Sequence, residues 1–394
     1  MKILWLKADF LHPTRKGGQI RTLEMLKQLH QRHEIHYVAL DDGTSAEAVP
    51  RASEYSTRAY PVPHRAPPRT SPAFWGQLAA NICSPLPLSL ARYQDAALSR
   101  AVLEVMRRES PDVLVCDFLA PAVNLDDLAP WVLFQHNVET MIWRRHAQTA
   151  PDPLRRVYFG NQAARMFRTE AEICRRVRKV IAVSESDSKT HRELFGLKNV
   201  PNVATGVDVA SLTPPGPRPI ETDLIFVGSM DWMPNIDAVE FFLEQILPSI
   251  RRRRPDCRVT IAGRHPPASL RRAAESDSKL RVTGTVDDVR PYLWSAAVSI
   301  VPLRVGGGTR LKIYESMAAR VPVVSTSIGA EGLEIHPPED IKLADTPESF
   351  ADACLALLDD PGERARQAQA AWDLMSSKYS WERVAVDFER ILLS

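Results

Sequence analysis

Residues 304–318 read RVGGGTRLKIYESMA: three consecutive glycines, Gly306 to Gly308, follow the apolar run SIVPL (299–303) and open a stretch with helical spacing. A short apolar strand that turns through glycine into a helix is the repeating unit of α/β proteins, and the rest of the chain shows the same alternation. In the first half the strand candidates are ILWLKA (3–8), EIHYVAL (34–40), DVLVCDF (112–118), WVLFQHN (131–137) and KVIAVS (179–184), with helical patterns such as GGQIRTLEMLKQLHQRH (17–33) between most of them. In the second half they are LIFVGS (224–229), RVTIAGR (258–264), LRVTGTV (280–286), AVSIVPL (297–303) and VPVVST (321–326), with a long helix expected over 235–254. Near-continuous apolar strands separated by helices imply parallel sheets covered on both faces.

TPPGPRPIETD (213–223), with four prolines and a glycine, interrupts the alternation and reads as a linker. The expected organisation is an N-terminal Rossmann-like domain over 1–210, a linker over 211–222 and a second Rossmann-like domain over 223–379. A terminal helix over 380–394 is expected to pack back on the first domain. Two doubly wound domains leave a cleft, and ligands of such sheets bind beyond the carboxyl ends of the strands, where the glycine loop falls. A second proline-rich stretch, YPVPHRAPPRTSP (60–72), reads as an extended excursion.

Composition narrows the function classes. The 394 residues are 44% hydrophobic and 25% charged, and 50 basic residues nearly balance 48 acidic ones, so no bulk attraction to nucleic acid follows. Five cysteines, Cys83, Cys116, Cys174, Cys257 and Cys354, stand far apart with no C-x-x-C pair, which favours a reduced compartment without structural zinc. The opening MKILWLKADF is too short an apolar run for a signal sequence, and no stretch approaches the roughly 20 apolar residues of a membrane span. A soluble or peripheral protein is expected.

Glycine lets the backbone approach a ligand closely, and the amides that open a helix lack internal partners, so an anion suits the loop at 306–309. Arg310 and Lys312 place cations in the first turn, where the helix dipole disfavours them unless something negative binds. Glu315 stands about 7.5 Å further along the axis, roughly the step from a phosphate to a ribose whose paired hydroxyls a carboxylate accepts. A tight turn with a surface pair between Lys312 and Glu315 is the plainer alternative, although a turn alone needs only one glycine. The P-loop pattern, the third glycine of G-x-G-x-x-G and any D-x-D pair are absent. Those absences disfavour P-loop hydrolases, dinucleotide dehydrogenases and transferases that hold a nucleotide-sugar through a divalent metal.

The chain resembles glycosyltransferase family 4, the retaining group with the GT-B fold of two facing Rossmann-like domains. The resemblance lies in GGQIRTLEMLKQL, LFQHNVE, IAVSESDSKTHRELFG, GVD (206–208), LIFVGSMDWMPNIDAVEFFLEQILPSI, VTIAGR, the block VTGTVDDVRPYLWSAAVSIVPLRVGGGTRLKIYESMAARVPVVSTSIGAEGL (282–333) and the terminal YSWERVAVDFERIL. It implies that Glu315, the second acid of an E-x7-E motif, holds the ribose. Arg310 and Lys312, with the amides of Gly307, Gly308 and Thr309, would hold the diphosphate. Gly17, Gly18 and Gly228 would lie against the donor, and the backbone at Thr285 and Val286 would meet the nucleobase. His136 would sit beside the transferred sugar and stabilise charge near its anomeric carbon, making His136, Arg310 and Lys312 the implied catalytic set. No metal or cofactor is implied beyond a UDP-, GDP- or ADP-sugar donor.

Three positions depart from the family pattern. The first acid of E-x7-E is Gly307, the basic residue after the first strand of the second domain is replaced by Ser229 and Met230, and Thr205 stands where many relatives have Asn. These leave open a non-catalytic nucleotide-sugar-binding scaffold or a nucleotide-sugar epimerase. On the acceptor side, residues 144–179 hold ten arginines and lysines against three acids. That run reads either as a solvated helix face or as a surface for anionic lipid or a polyprenyl-diphosphate acceptor at the cytoplasmic leaflet.

Overall fold

A computed structural model describes the chain except residues 15, 16, 66, 68, 69, 82, 83, 149, 151, 218 and 306–310. The described chain forms two compact units, Met1–Ala204 with Val384–Ser394, and Thr205–Arg383.

The first unit is built on six parallel strands, β1 (Lys2–Lys7), β2 (Glu34–Asp41), β3 (Arg58–Pro63), β4 (Val113–Asp117), β5 (Trp131–Phe134) and β6 (Lys179–Ile181), in the order β3-β2-β1-β4-β5-β6. The central strands are apolar throughout because helices cover both faces: Ile3, Leu4, Trp5 and Leu6 are all fully buried. Register aligns Leu6 of β1 with Cys116 of β4, which brings Lys7 and Asp117 to the same carboxyl edge. The proline-rich stretch differs from its reading as an excursion, since residues 58–63 pair with β2 as β3. Pro61 and Pro63 fit there because β3 is an edge strand, where a missing N–H breaks no second ladder.

Side-chain caps place the helices. Asp152 accepts from Arg155 N ahead of Pro153, and Ser184 accepts from Asp187 N to start the helix Glu185–Phe195, which ends at Gly196 with φ +66. The helix Trp381–Leu393 packs Phe388 against Trp5 and Phe134, with ring centroids 5.7 and 5.0 Å apart. Lys179 Nζ donates to its Ile391 carbonyl at 2.7 Å.

The second unit repeats the topology with β7 (Thr222–Val227), β8 (Val259–Ala262), β9 (Leu280–Val282), β10 (Ala296–Val301), β11 (Val323–Ser325) and β12 (Lys342–Leu343), all parallel, in the order β12-β11-β10-β7-β8-β9. The helix expected over 235–254 is a continuous helical run, Met233–Phe241, a π turn Phe242–Ile246 and Leu247–Arg253. Pro248 explains the π turn, because it has no N–H for the carbonyl four residues back. In each sheet the strand order reverses once, at β1/β4 and at β7/β10, and crevices that hold ligands form at the carboxyl ends of such switch points.

Candidate active site

In the first unit the switch point holds a buried charged cluster. Asp117 ends β4 with no solvent exposure. Its Oδ2 accepts from Lys7 Nζ at 2.9 Å, Thr22 Oγ1 at 2.6 Å and Trp5 Nε1 at 3.1 Å. Its Oδ1 lies 2.9 Å from His136 Nε2. Lys7 and His136, together with the Thr22 hydroxyl, overcome the burial penalty and hold the Asp117 carboxyl well below the usual range. Burial has the opposite effect on the neighbouring imidazole: despite Asp117, it pulls His136 down to about 3, so the ring is neutral. The 2.9 Å contact does not align as a hydrogen bond: Asp117 Oδ1 and both ring nitrogens of His136 are buried without a hydrogen-bond partner among the described residues.

The His136 ring is fixed from both sides. It stacks on Phe118 with centroids 3.9 Å apart and meets Phe134 at 4.5 Å. Phe118 has φ 73, a left-handed conformation that a bulky aromatic residue adopts only under constraint. The constraint is visible: its N–H donates to the Phe134 carbonyl at 2.9 Å, and Lys7 Nζ stands 4.2 Å from its ring centroid. Gly18, in the first turn of the helix Gly17–His30, completes the enclosure. A Cβ there would fall 2.6 Å from Phe118 Cζ and 3.6 Å from His136 Nδ1, whereas one at Gly17 would meet nothing within 4 Å.

The segment carrying His136 is anchored by Glu170, which is fully buried. Its carboxylate accepts from Gln135 Nε2, Glu139 N, Thr140 N and Thr140 Oγ1 at 3.1, 3.0, 2.7 and 2.6 Å, capping the helix Glu139–Gln148. Burial pushes its pKa up to about 7 against the pull of those donors.

In the second unit Gly228 follows β7, and Lys312 lies in the helix Leu311–Ala318 beyond β10. Lys312 Nζ donates to Asn235 Oδ1 at 2.7 Å and stands 4.4 Å from the Phe226 ring centroid. A Cβ at Gly228 would lie 2.8 Å from that ammonium, so glycine at 228 makes room for Lys312. Glu315 is half-buried one turn further on; burial raises its pKa and Lys312 lowers it. Gly307, Gly308, Thr309 and Arg310 lie outside the described residues. Thr285 and Val286 line a shallow cavity of about 590 Å³ with Tyr292, Glu221 and Ser295, the last two just ahead of β7 and β10. That cavity includes neither Gly228 nor Lys312.

Sequence reasoning overlooked Lys7, Asp117, Glu170 and Arg264. Lys7, Asp117 and Arg264 share a signal: each is a charged residue at or just after the carboxyl end of an apolar strand. Arg264, beyond β8, donates from Nε to Ser229 Oγ at 2.8 Å and pairs with Asp231 at 3.2 Å. A guanidinium from the neighbouring strand thus reaches the position where the sequence lacks a basic residue. Glu34, His36 and Glu109 form the one metal-type cluster among the described residues. They lie at the opposite edge of their sheet and already pair with one another and with Tyr60 and Arg108. Four cysteines, Cys116, Cys174, Cys257 and Cys354, are free and buried.

Residues 15–211 match the family described as Glycosyltransferase Family 4, and residues 221–360 match Glycosyl transferases group 1. The chain is 27% identical over 254 residues to a glycogen synthase of Mycobacterium tuberculosis, covering 60% of this chain and 58% of the relative. It is 23% identical over 255 residues to a GDP-mannose-dependent monoacylated alpha-(1-6)-phosphatidylinositol monomannoside mannosyltransferase of Corynebacterium glutamicum, covering 60% and 65%. The aligned regions therefore span about three fifths of those relatives. Among solved structures, Anabaena HepE in complex with UDP superimposes over 100% of both chains with TM-score 0.69 at 13% identity. With both units matched and each built on a Rossmann-ordered sheet, the chain belongs to the family 4, group 1 glycosyltransferases and has their two-domain α/β fold of GT-B type.

Proposed function

We propose that this glycosyltransferase moves a sugar from a UDP-, GDP- or ADP-sugar to an acceptor hydroxyl, with retention at the anomeric carbon and without a metal or other cofactor, in polysaccharide or glycolipid assembly. The observation that supports it best is the seating of Lys312. Its ammonium is held by Asn235 at the carboxyl edge of the second sheet, in space that Gly228 leaves open. A cation fixed there suits a departing diphosphate, because a preorganised charge needs no reorganisation as negative charge develops. The Arg264 guanidinium, bonded to Ser229, suits the same work, and the ribose is assigned to Glu315.

His136 supplies something else. As a neutral ring it carries no charge to place near an anomeric carbon, and a ring nitrogen without a partner suits a hydroxyl of the transferred sugar. In front-face transfer the acceptor hydroxyl approaches the side from which the diphosphate leaves, and the leaving phosphate takes the proton. The protein then contributes positioning and electrostatics, and no side-chain nucleophile is required.

HepE was solved with UDP, which supports a uridine donor. The corynebacterial relative uses GDP-mannose and an acylated acceptor, which supports a glycolipid role. Among the described residues no helix is long and apolar enough to cross a membrane, so contact with an anionic cytoplasmic leaflet would be peripheral. The test is incubation with UDP-, GDP- and ADP-sugars in EDTA with methanol as a surrogate acceptor, and the methyl glycoside, which does not mutarotate, is followed by NMR. Formation of a glycoside from one donor with its starting anomeric configuration supports the reading. An inverted product, an epimerised donor or strict dependence on magnesium would overturn it.

A further inference from the structure

The first unit contains a cavity of about 550 Å³ whose wall is mostly aromatic and aliphatic, with Phe74, Trp143, Tyr158 and Phe159 among the rings and Arg92 and Glu139 as its charged members. That volume suits a small-molecule ligand. The rings pack on one another, with Trp143 6.2 Å and Tyr158 5.6 Å from Phe159. Phe118 belongs to the same wall and also carries the stacked His136, so the cavity abuts the proposed sugar position. The same wall includes the half-buried Glu139, three residues beyond His136 in the chain.

The apolar character continues out to the surface. The helix Pro72–Asn81, PAFWGQLAAN, contains no charged residue, and its only buried side chain is Asn81. Trp75 is 60% exposed beside Phe74 of the wall. On the helix Pro153–Arg176, Leu154 and Val157 are 81% and 72% exposed next to Tyr158, with exposed Arg155 and Arg156 between them. Apolar surface of this kind marks a contact site, and interleaved arginines suit the anionic headgroups of a lipid surface that surrounds the emerging chain.

We propose that this cavity binds the hydrocarbon chain of an amphiphilic acceptor, whose hydroxylated head lies towards Glu139 and His136. The assignment as an acceptor site rests on the transferase reading above. It narrows the acceptor from any saccharide to one attached to a lipid chain. Glu139 would accept the hydrogen bond of the head's hydroxyl, Phe118 would separate head from chain, and the chain would leave past Phe74 and Tyr158.

The test is calorimetry of the full chain with methyl, hexyl and octyl β-glucosides, each below its micelle concentration. Burial of methylenes predicts rising affinity, at most roughly fourfold per added carbon. Octyl glucoside should therefore bind more tightly than hexyl glucoside, by up to about fifteenfold for two fully buried methylenes. Phe74→Ser and Tyr158→Ser should each remove most of that difference, and circular dichroism checks that both variants stay folded, since Tyr158 is 37% exposed and Phe74 half-buried. Equal affinity for the three glucosides would overturn the proposal, as would a chain-length dependence unchanged in both variants. UDP titration is read separately: lost nucleotide binding with an intact chain-length effect defeats the transferase reading alone, and the converse defeats the cavity assignment alone.

Discussion

Asp117 Oδ1 lies 2.9 Å from His136 Nε2 while Oδ2 of the same carboxylate accepts from Lys7 Nζ at 2.9 Å. One buried acid thus orients the imidazole and neutralises the lysine. Replacing it by Asn keeps the shape and strands Lys7 as an uncompensated buried charge. Asp117→Asn is expected to lower unfolding free energy by about 3–5 kcal/mol in urea denaturation. The double variant Asp117→Asn with Lys7→Met should recover much of that loss, because the stranded charge is gone. Equal destabilisation of the single and double variants would contradict this account of the cluster.

His136 should stay neutral throughout the working range. Its folded pKa is lowered to about 3 from an ordinary 6.5, so between those values the unfolded chain binds a proton that the folded chain refuses. The stability due to the neutral ring is complete above pH 6.5 and is lost as pH falls towards 3. The stability difference between wild type and His136→Gln should shrink by about 1 kcal/mol per pH unit from pH 6 to 4. Ring NMR should show no titration of His136 near pH 6.5, and a midpoint there would refute the assigned state.

Gly17 and Gly18 are adjacent and should respond in opposite ways. A Cβ at Gly18 collides with Phe118 at 2.6 Å, and the strained φ 73 of Phe118 leaves little room to yield. Gly18→Ala is expected to cost about 1–3 kcal/mol in thermal denaturation. Gly17→Ala meets nothing within 4 Å and should leave stability within about 0.5 kcal/mol of wild type. If Gly17→Ala nevertheless weakens donor binding, glycine at 17 serves the ligand and not the fold.

Glu170 caps the segment behind His136 with four donors on one buried carboxylate. Glu170→Ala leaves two backbone N–H groups and two side chains without their acceptor. A loss of about 3 kcal/mol or more is expected, with larger hydrogen-exchange rates confined to the start of the helix Glu139–Gln148. Unchanged exchange at Glu139 and Thr140 would remove Glu170 from this role.

The α/β class was legible because the strands are short apolar runs of fixed type, such as VLVC before Asp117, and each is followed by a helical pattern. The edge strand β3 was not legible, because its prolines are permitted only at an edge, and edge position is a property of the whole sheet. Candidate site residues could be named from sequence where a motif is local, as at Lys312 and Glu315, whose donor-binding roles are proposals. It was hidden where the chemistry depends on register. Lys7, Asp117 and His136 stand 110 and 19 residues apart in the chain and meet only because β1, β4 and β5 end at one edge. Arg264 was hidden for the same reason, since β8 must lie beside β7 for its guanidinium to reach Ser229.

The most direct test of the central claim is calorimetric titration of the purified chain with UDP, GDP and ADP in EDTA, repeated with Glu315→Ala and Lys312→Ala. The account predicts that one nucleoside diphosphate binds without metal and that each variant weakens it by at least about tenfold, the loss of one charge-assisted contact. Binding to none of the three, binding only with magnesium, or unchanged affinity in both variants would contradict a donor site built on Lys312 and Glu315.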